Sequence, residues 1–183
     1  NRIKIIIDIF TQLKEKLDKK FPIIIKLTVQ DFLGEGKGLA LKEGVEITKY
    51  LVDLGFDAIE PTSGRTNMRV TINKLYPIVS FRNSEDENYF VPTAQKLKPI
   101  MKDCPLILQG GIRNPLSAEN FLKEYIADFI SMSRPLIYEP NLPNRWKSGD
   151  ISPSLCRNCN SCLSVGVRGE THCVIKEKKE KKG

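Results

Sequence analysis

The sequence predicts an α/β protein in which parallel strands alternate with helices, followed by a short cysteine-rich extension. Three observations carry this. Four short apolar runs have strand length, amphipathic helical stretches stand between them, and near Ile151 the composition turns to Cys, Asn, Ser, Gly and Lys. At 183 residues and 40% hydrophobic content the chain can bury one core. It begins with Asn1 inside a helical pattern, which reads as a fragment, and it holds neither a signal peptide nor an apolar span long enough for a membrane.

Residues 1–20 place Ile3, Ile6, Ile7, Phe10, Leu13 and Leu17 on one helical stripe. Pro22 to Thr28 is a continuous apolar run, expected as a strand buried on both faces. Leu41 to Leu54 reads as a helix with Leu41, Val45, Thr48, Leu51 and Val52 inward, stopped by Gly55. Phe56 to Pro61 is the second strand, and Thr62 to Val91 is long and irregular, as functional loops are. Pro92 opens a helix carrying Ala94, Leu97, Ile100 and Met101. Pro105 to Gln109 is the third strand. Asn114 and Pro115 start a helix through Tyr125, and Asp128 to Met132 is the fourth strand. Periodicity admits both an open doubly wound sheet and part of a (β/α)8 barrel.

The net charge is +7, but five lysines against two glutamates after Ile175 supply +3 of it. A short Lys/Glu run without aromatics is expected to be a solvated, disordered end, so no nucleic acid and no membrane is expected as a partner. The GEGKG stretch, Gly34 to Gly38, lacks the G-x4-G-K-S/T spacing of a phosphate-binding loop and reads as a flexible connection.

Polar and glycine residues gather just past each apolar run: Lys26, Thr28 and Gln30; Thr62, Ser63 and Gly64; Gly110 and Gly111; Ser133 and Arg134. In parallel α/β folds the C-terminal strand ends hold the site. Gly110-Gly111 lets backbone N–H groups approach an anion, and Arg134 offers a cationic fork. The turn from Ser133 to Tyr138 is expected to aim a helix start at the same point. Two such ends on consecutive strands suggest a phosphate site. Arg134 paired with Glu139, and Lys26 as a snorkelling strand-end lysine, are the structural alternatives.

Cys156, Cys159, Cys162 and Cys173 are spaced C-x2-C-x2-C-x10-C, apart from Cys104. This suits an iron–sulfur cluster; zinc, held by four thiolates or with His172 replacing one, and disulfides are the alternatives.

The segments FPIIIKLTVQDF, LGFDAIEPTSG, YFVPTAQKLK, LILQGGIRNP, ADFISMSRPLIYEPNLPNRW and CRNCNSC occur in the order seen in old yellow enzyme-like NADH:flavin oxidoreductases. The chain resembles most the branch containing 2,4-dienoyl-CoA reductase. The resemblance implies the C-terminal half of a (β/α)8 TIM barrel, strands five to eight in residues 1–150, with a metal-binding extension in residues 151–183. It implies FMN held by Lys26 at the N1–C2=O edge and by Gly110, Gly111, Ser133 and Arg134 at the phosphate. It also favours a [4Fe–4S] cluster on the four cysteines, though the second and last gaps are one residue shorter than in that branch. NAD(P)H and an unsaturated small molecule are the implied partners, in a cytoplasmic enzyme. The catalytic acid of the family falls upstream, and Tyr89 reads as loop or core. A half-barrel exposes sheet edges and an inner face, so a second copy or the missing N-terminal half is an expected partner. A non-redox phosphate-binding enzyme and a zinc-stabilised module contacting an acidic partner are the other readings.

Overall fold

The computed structural model describes residues 3–32, 38–63, 70–71, 74–75 and 87–181. Residues 34–37 of the GEGKG stretch, Gly64 and much of the 62–91 loop lie outside the described residues.

Helix α1 (Lys4–Lys16) follows the apolar stripe, but only Phe10 on it is buried. Phe10 packs on Phe56 with ring centroids 4.3 Å apart, and the Lys14 ammonium lies over its ring. Strand β1 (Ile24–Gln30) starts two residues later than the apolar run suggests. Helix α2 (Leu41–Leu54) ends at Gly55, whose φ of +100° lets its N–H reach back to Leu51 and Val52. Strand β2 (Ala58–Ser63) follows, then a short antiparallel pair, β3 (Val70–Thr71) with β4 (Lys74–Leu75). Helix α3 (Val91–Leu97) continues into a 3-10 turn at Lys98–Ile100, and Ala94, Leu97 and Met101 are fully buried as their spacing suggests.

Strand β5 (Ile107–Leu108) leads to α4 (Pro115–Lys123), where the Asn114 side chain accepts from Leu116 N–H. This helix stops two residues short of Tyr125, which takes φ +54°. Strand β6 (Phe129–Ile130) and helices α5 (Arg134–Tyr138), α6 (Leu142–Lys147), α7 (Ser161–Gly166) and α8 (Val174–Glu180) complete the chain. Helix α8 replaces the disorder expected for the lysine-rich end. Glu177 pairs with Lys181 one turn on and with His172 at 3.1 Å, which favours helix over coil.

The parallel strands run in chain order. β1 pairs with β2, Ile59 of β2 bridges Leu106, and β5 pairs with β6. Each strand lies beside its predecessor without the reversal of order that defines a doubly wound sheet. One face of this sheet is covered: Leu27, Val29, Ile59, Leu106 and Leu108 pack with Leu51, Leu97 and Met101. The other face is open, with Ile24 and Phe129 each 56% exposed. The expectation that β1 is buried on both faces is therefore corrected. Its side chains alternate, and helices lie against only one side.

Candidate functional site

The open face becomes polar toward the C-terminal strand ends. There Lys26, Gly110, Gly111, Ser133 and Arg134 line one cavity, together with Glu60, Gln109, Ser131 and Asn158. All five residues singled out for a phosphate-bearing cofactor thus face one space.

Gly110 and Gly111 leave β5 with φ of +106° and +78°, both in the left-handed region. A side chain at Gly110 would also collide: a Cβ there lies 2.7 Å from Phe90 Cδ2 and 3.0 Å from Tyr89 Cζ. With no side chain on either residue, the backbone of this turn is open to close approach by a ligand in the cavity it lines. Tyr89, read from sequence as loop or core, is a neighbour of the site. Burial pushes its hydroxyl pKa up while the nearby Arg134 charge opposes the shift.

Ser133 and Arg134 stand at the tip of β6. Arg134 Nη1 donates to Asn160 Oδ1 at 2.6 Å. Glu139, the alternative partner, accepts instead from Arg145 at 3.1 Å, Ser154 Oγ at 2.8 Å and Leu155 N–H at 2.7 Å. Helix α5 spans five residues, too short for a dipole of consequence at its start.

Lys26 is not an isolated charge. It stands opposite Glu60 in the β1–β2 register, and its Nζ lies 2.6 Å from Glu60 Oε1. Glu60 is the better buried, with 16% of its side chain exposed against 56% for Lys26. The carboxylate therefore fixes the lysine over the open face and offsets part of its charge.

Cys156, Cys159, Cys162 and Cys173 carry free thiols, and all four line a second cavity with Arg134, Asn158 and Asn160. Among the described residues no three His, Cys, Asp or Glu side chains are gathered closely enough to hold a metal ion. Burial pushes the Cys156 and Cys162 thiols up, and the Arg134 charge acts against it. His172 engages Glu177 Oε2 through Nε2, and its Nδ1 lies 3.0 Å from the Glu170 carbonyl oxygen. It does not line the cysteine cavity. Cys104 is elsewhere, with its Sγ 3.3 Å from Phe56 O.

Sequence reasoning missed Glu60, Asn158, Asn160 and Arg113. Glu60 sits in the FDAIEP run, where only strand pairing reveals its partner. Asn158 and Asn160 lie inside CRNCNSC, and their left-handed φ values of +51° and +61° are typical of asparagine. That alternation of Cys and Asn was the available signal.

A parallel α/β sheet wound in chain order, with a polar cavity at its strand tips, defines the class of the chain. No family model matches it. It is 29% identical over 168 residues to an NADH oxidase of Thermoanaerobacter brockii, covering 92% of the chain and 24% of that relative. Among solved structures, a 2-naphthoyl-CoA reductase complex superposes with a TM-score of 0.74 at 23% identity, over 94% of the chain and 25% of that structure. The old yellow enzyme homologue of Zymomonas mobilis gives 0.55 at 19% identity, over 86% of the chain and 40% of that structure. Relatives named as an NADH oxidase, NADH-dependent flavin oxidoreductases and an old yellow enzyme-type alkene reductase support a place in the old yellow enzyme-like NADH:flavin oxidoreductase family. The chain spans between 20% and 39% of the length of the curated relatives it matches.

Proposed function

We propose that the chain forms the C-terminal half of an FMN-binding (β/α)8 barrel in an NAD(P)H-dependent oxidoreductase acting on an activated carbon–carbon double bond. The observation that carries this is the single cavity shared by Lys26, Gly110, Gly111, Ser133 and Arg134. The residues fit a phosphate monoester: a positive-φ glycine pair, with no room for a Cβ at Gly110, beside an arginine. The strand order and the relatives' names support the barrel and the flavin. Bound FMN would supply the transfer of hydride equivalents between NAD(P)H and the substrate.

The chain's own residues bind and orient. The N–H groups of Gly110, Gly111 and Ser133 and the Arg134 guanidinium hold the phosphate. Lys26, steadied by Glu60, sets a positive charge at the N1–C2=O edge, where negative charge gathers on reduction. A [4Fe–4S] cluster on the four cysteines is supported by their C-x2-C-x2-C-x10-C spacing, while the thiols line one cavity without being gathered closely enough to hold a metal. Zinc held by the four thiolates is the alternative. With His172 occupied by glutamate contacts, nothing favours the form in which histidine replaces a cysteine.

The test is the visible spectrum and flavin content of the chain purified and incubated with FMN. The expected result is stoichiometric flavin, and a loss of affinity on the order of tenfold in Arg134→Gln, the size for one charged hydrogen-bonding partner. A parent chain that takes up no FMN, alone or joined to the remaining barrel strands, would overturn the proposal. Metal analysis after anaerobic purification separates iron with sulfide from zinc.

A further inference from the structure

Asn158 belongs to the cysteine segment, yet it lines the strand-tip cavity beside Gly111, Ser133 and Arg134. Only 2% of it is exposed, at a φ of +51° that asparagine tolerates. A carboxamide buried this deeply is expected to have partners at both of its ends. One end has its partner: Oδ1 accepts from Cys156 Sγ at 3.7 Å. The other end, Nδ2, carries two donor hydrogens and meets no acceptor among the described residues. Cys156 borders the cysteine cavity and is absent from the strand-tip lining. The oxygen end of the amide therefore faces the thiols, and the nitrogen end, in the same rigid plane, is turned toward the strand tips.

The backbone that carries Asn158 is clamped on both flanks. Two residues before it, the Cys156 carbonyl accepts from Arg113 Nη1 at 3.1 Å. Two residues after it, Asn160 Oδ1 accepts from Arg134 Nη1 at 2.6 Å. Arg113 is itself fixed, its carbonyl accepting from Ser154 N–H at 2.8 Å and its Nε held by Glu87. A donor set in place beforehand gives up little freedom when a ligand arrives. Glu60, the acid of the same cavity, is engaged by Lys26 at 2.6 Å, which offsets its repulsion of an anion.

Resting on the phosphate reading of this cavity above, we propose that Asn158 is a phosphate-binding residue, its Nδ2 donating to a phosphate oxygen from the cysteine segment. A phosphate monoester offers three strong acceptor oxygens, which suits a neutral donor set beside an arginine. The extension then contributes to the cofactor site through one amide, whatever its thiols carry.

The experiment titrates the 183-residue chain with inorganic phosphate and, separately, with FMN, by calorimetry at a temperature where each variant is folded. Asn158→Gly keeps the positive-φ backbone and removes the amide. Asn158→Asp keeps the shape and the acceptor for Cys156, but puts an anionic oxygen where Nδ2 stood. Asn158→Gly is expected to weaken phosphate and FMN on the order of tenfold, as for one hydrogen bond to a charged group. Asn158→Asp is expected to weaken both further, because its charge repels the ligand. A merely structural asparagine gives no such order, so an Asn158→Asp loss no larger than that of Asn158→Gly overturns the assignment. Unchanged affinity in both variants overturns it too, while FMN bound by the parent leaves the flavin reading standing. If the parent binds phosphate with the expected order of losses but takes up no FMN, the flavin reading falls and Asn158 remains a phosphate ligand. A parent that binds neither overturns both.

Discussion

At the strand tips the chemistry depends on single atoms. Gly110→Ala adds one methyl group to a backbone at φ +106°, against the rings of Phe90 and Tyr89. Both the left-handed strain and the overlap act together, so the variant is expected to lose about 2 kcal/mol of stability. Denaturant titration measures this, and FMN uptake should fall with it. Burial and crowding of this kind were legible in the sequence only as a double glycine. Gly110, Gly111 and Arg134 could be read because glycine and arginine have few equivalents at an anion site. Glu60 and Asn160 could not, since what they do depends on a partner 34 residues away in β1 and 26 residues away in α5. The alternative Arg134–Glu139 pair was plausible by proximity in sequence. The structure gives Glu139 to Arg145 because the segment after α6 folds back over it.

Among the elements, two aspartates perform the same task twice. Asp57, ahead of β2, accepts from Ile23 N–H at 2.7 Å and from Lys14. Asp128, ahead of β6, accepts from Leu106 N–H at 2.8 Å and from Lys98. Each ties the start of its own strand to the start of the neighbouring one. The backbone hydrogen bond from Ile23 holds the Asp57 carboxyl below the ordinary aspartate value of 3.8. For Asp128 burial pushes upward, but Lys98 and Leu106 N–H outweigh it and the net direction is down. A carboxyl with a lowered folded pKa stabilises fully above its unfolded value and stops doing so as pH falls through the folded one. The Asp57→Asn, Asp128→Asn double variant is therefore expected to be less stable than the parent at neutral pH. The two should converge as denaturant midpoints are followed from about pH 5 to about pH 2.5. Helix α2 meets β1 through Gly44, where an added Cβ would fall well inside contact distance of Val29 O. Gly44→Ala must push the helix off the strand, at an expected cost of about 3 kcal/mol read from the same titration. Helix positions were legible because amphipathic spacing is local. The strand bounds shifted by up to two residues because pairing with the neighbour, which apolarity does not encode, decides where a ladder begins.

Over the whole molecule, the alternation of strands and helices was legible in periodicity, while the choice between sheet architectures came only from the family resemblance. That choice rests on which strands touch, and Ile59 bridging Leu106 is a contact across 47 positions that no window of sequence contains. An open sheet face was expected from the resemblance, but not which residues stand on it, because Ile24 and Phe129 look like core residues by type although both stand 56% exposed. Strand order has a consequence for how the chain comes to be folded. Where every new ladder forms on the one just completed, growth can proceed by accretion from the first unit onward, much as a wall rises course by course. Contacts close in sequence form early and far ones late. Pulse-labelled amide exchange during refolding is expected to protect the β5–β6 pair (Ile107 with Phe129) and the β1–β2 pair (Ile24 with Ala58) before the more distant Ile59–Leu106 bridge; protection arising everywhere at once would rule out stepwise growth. A polypeptide with that habit tolerates being shortened or extended at the boundary between units far better than within one.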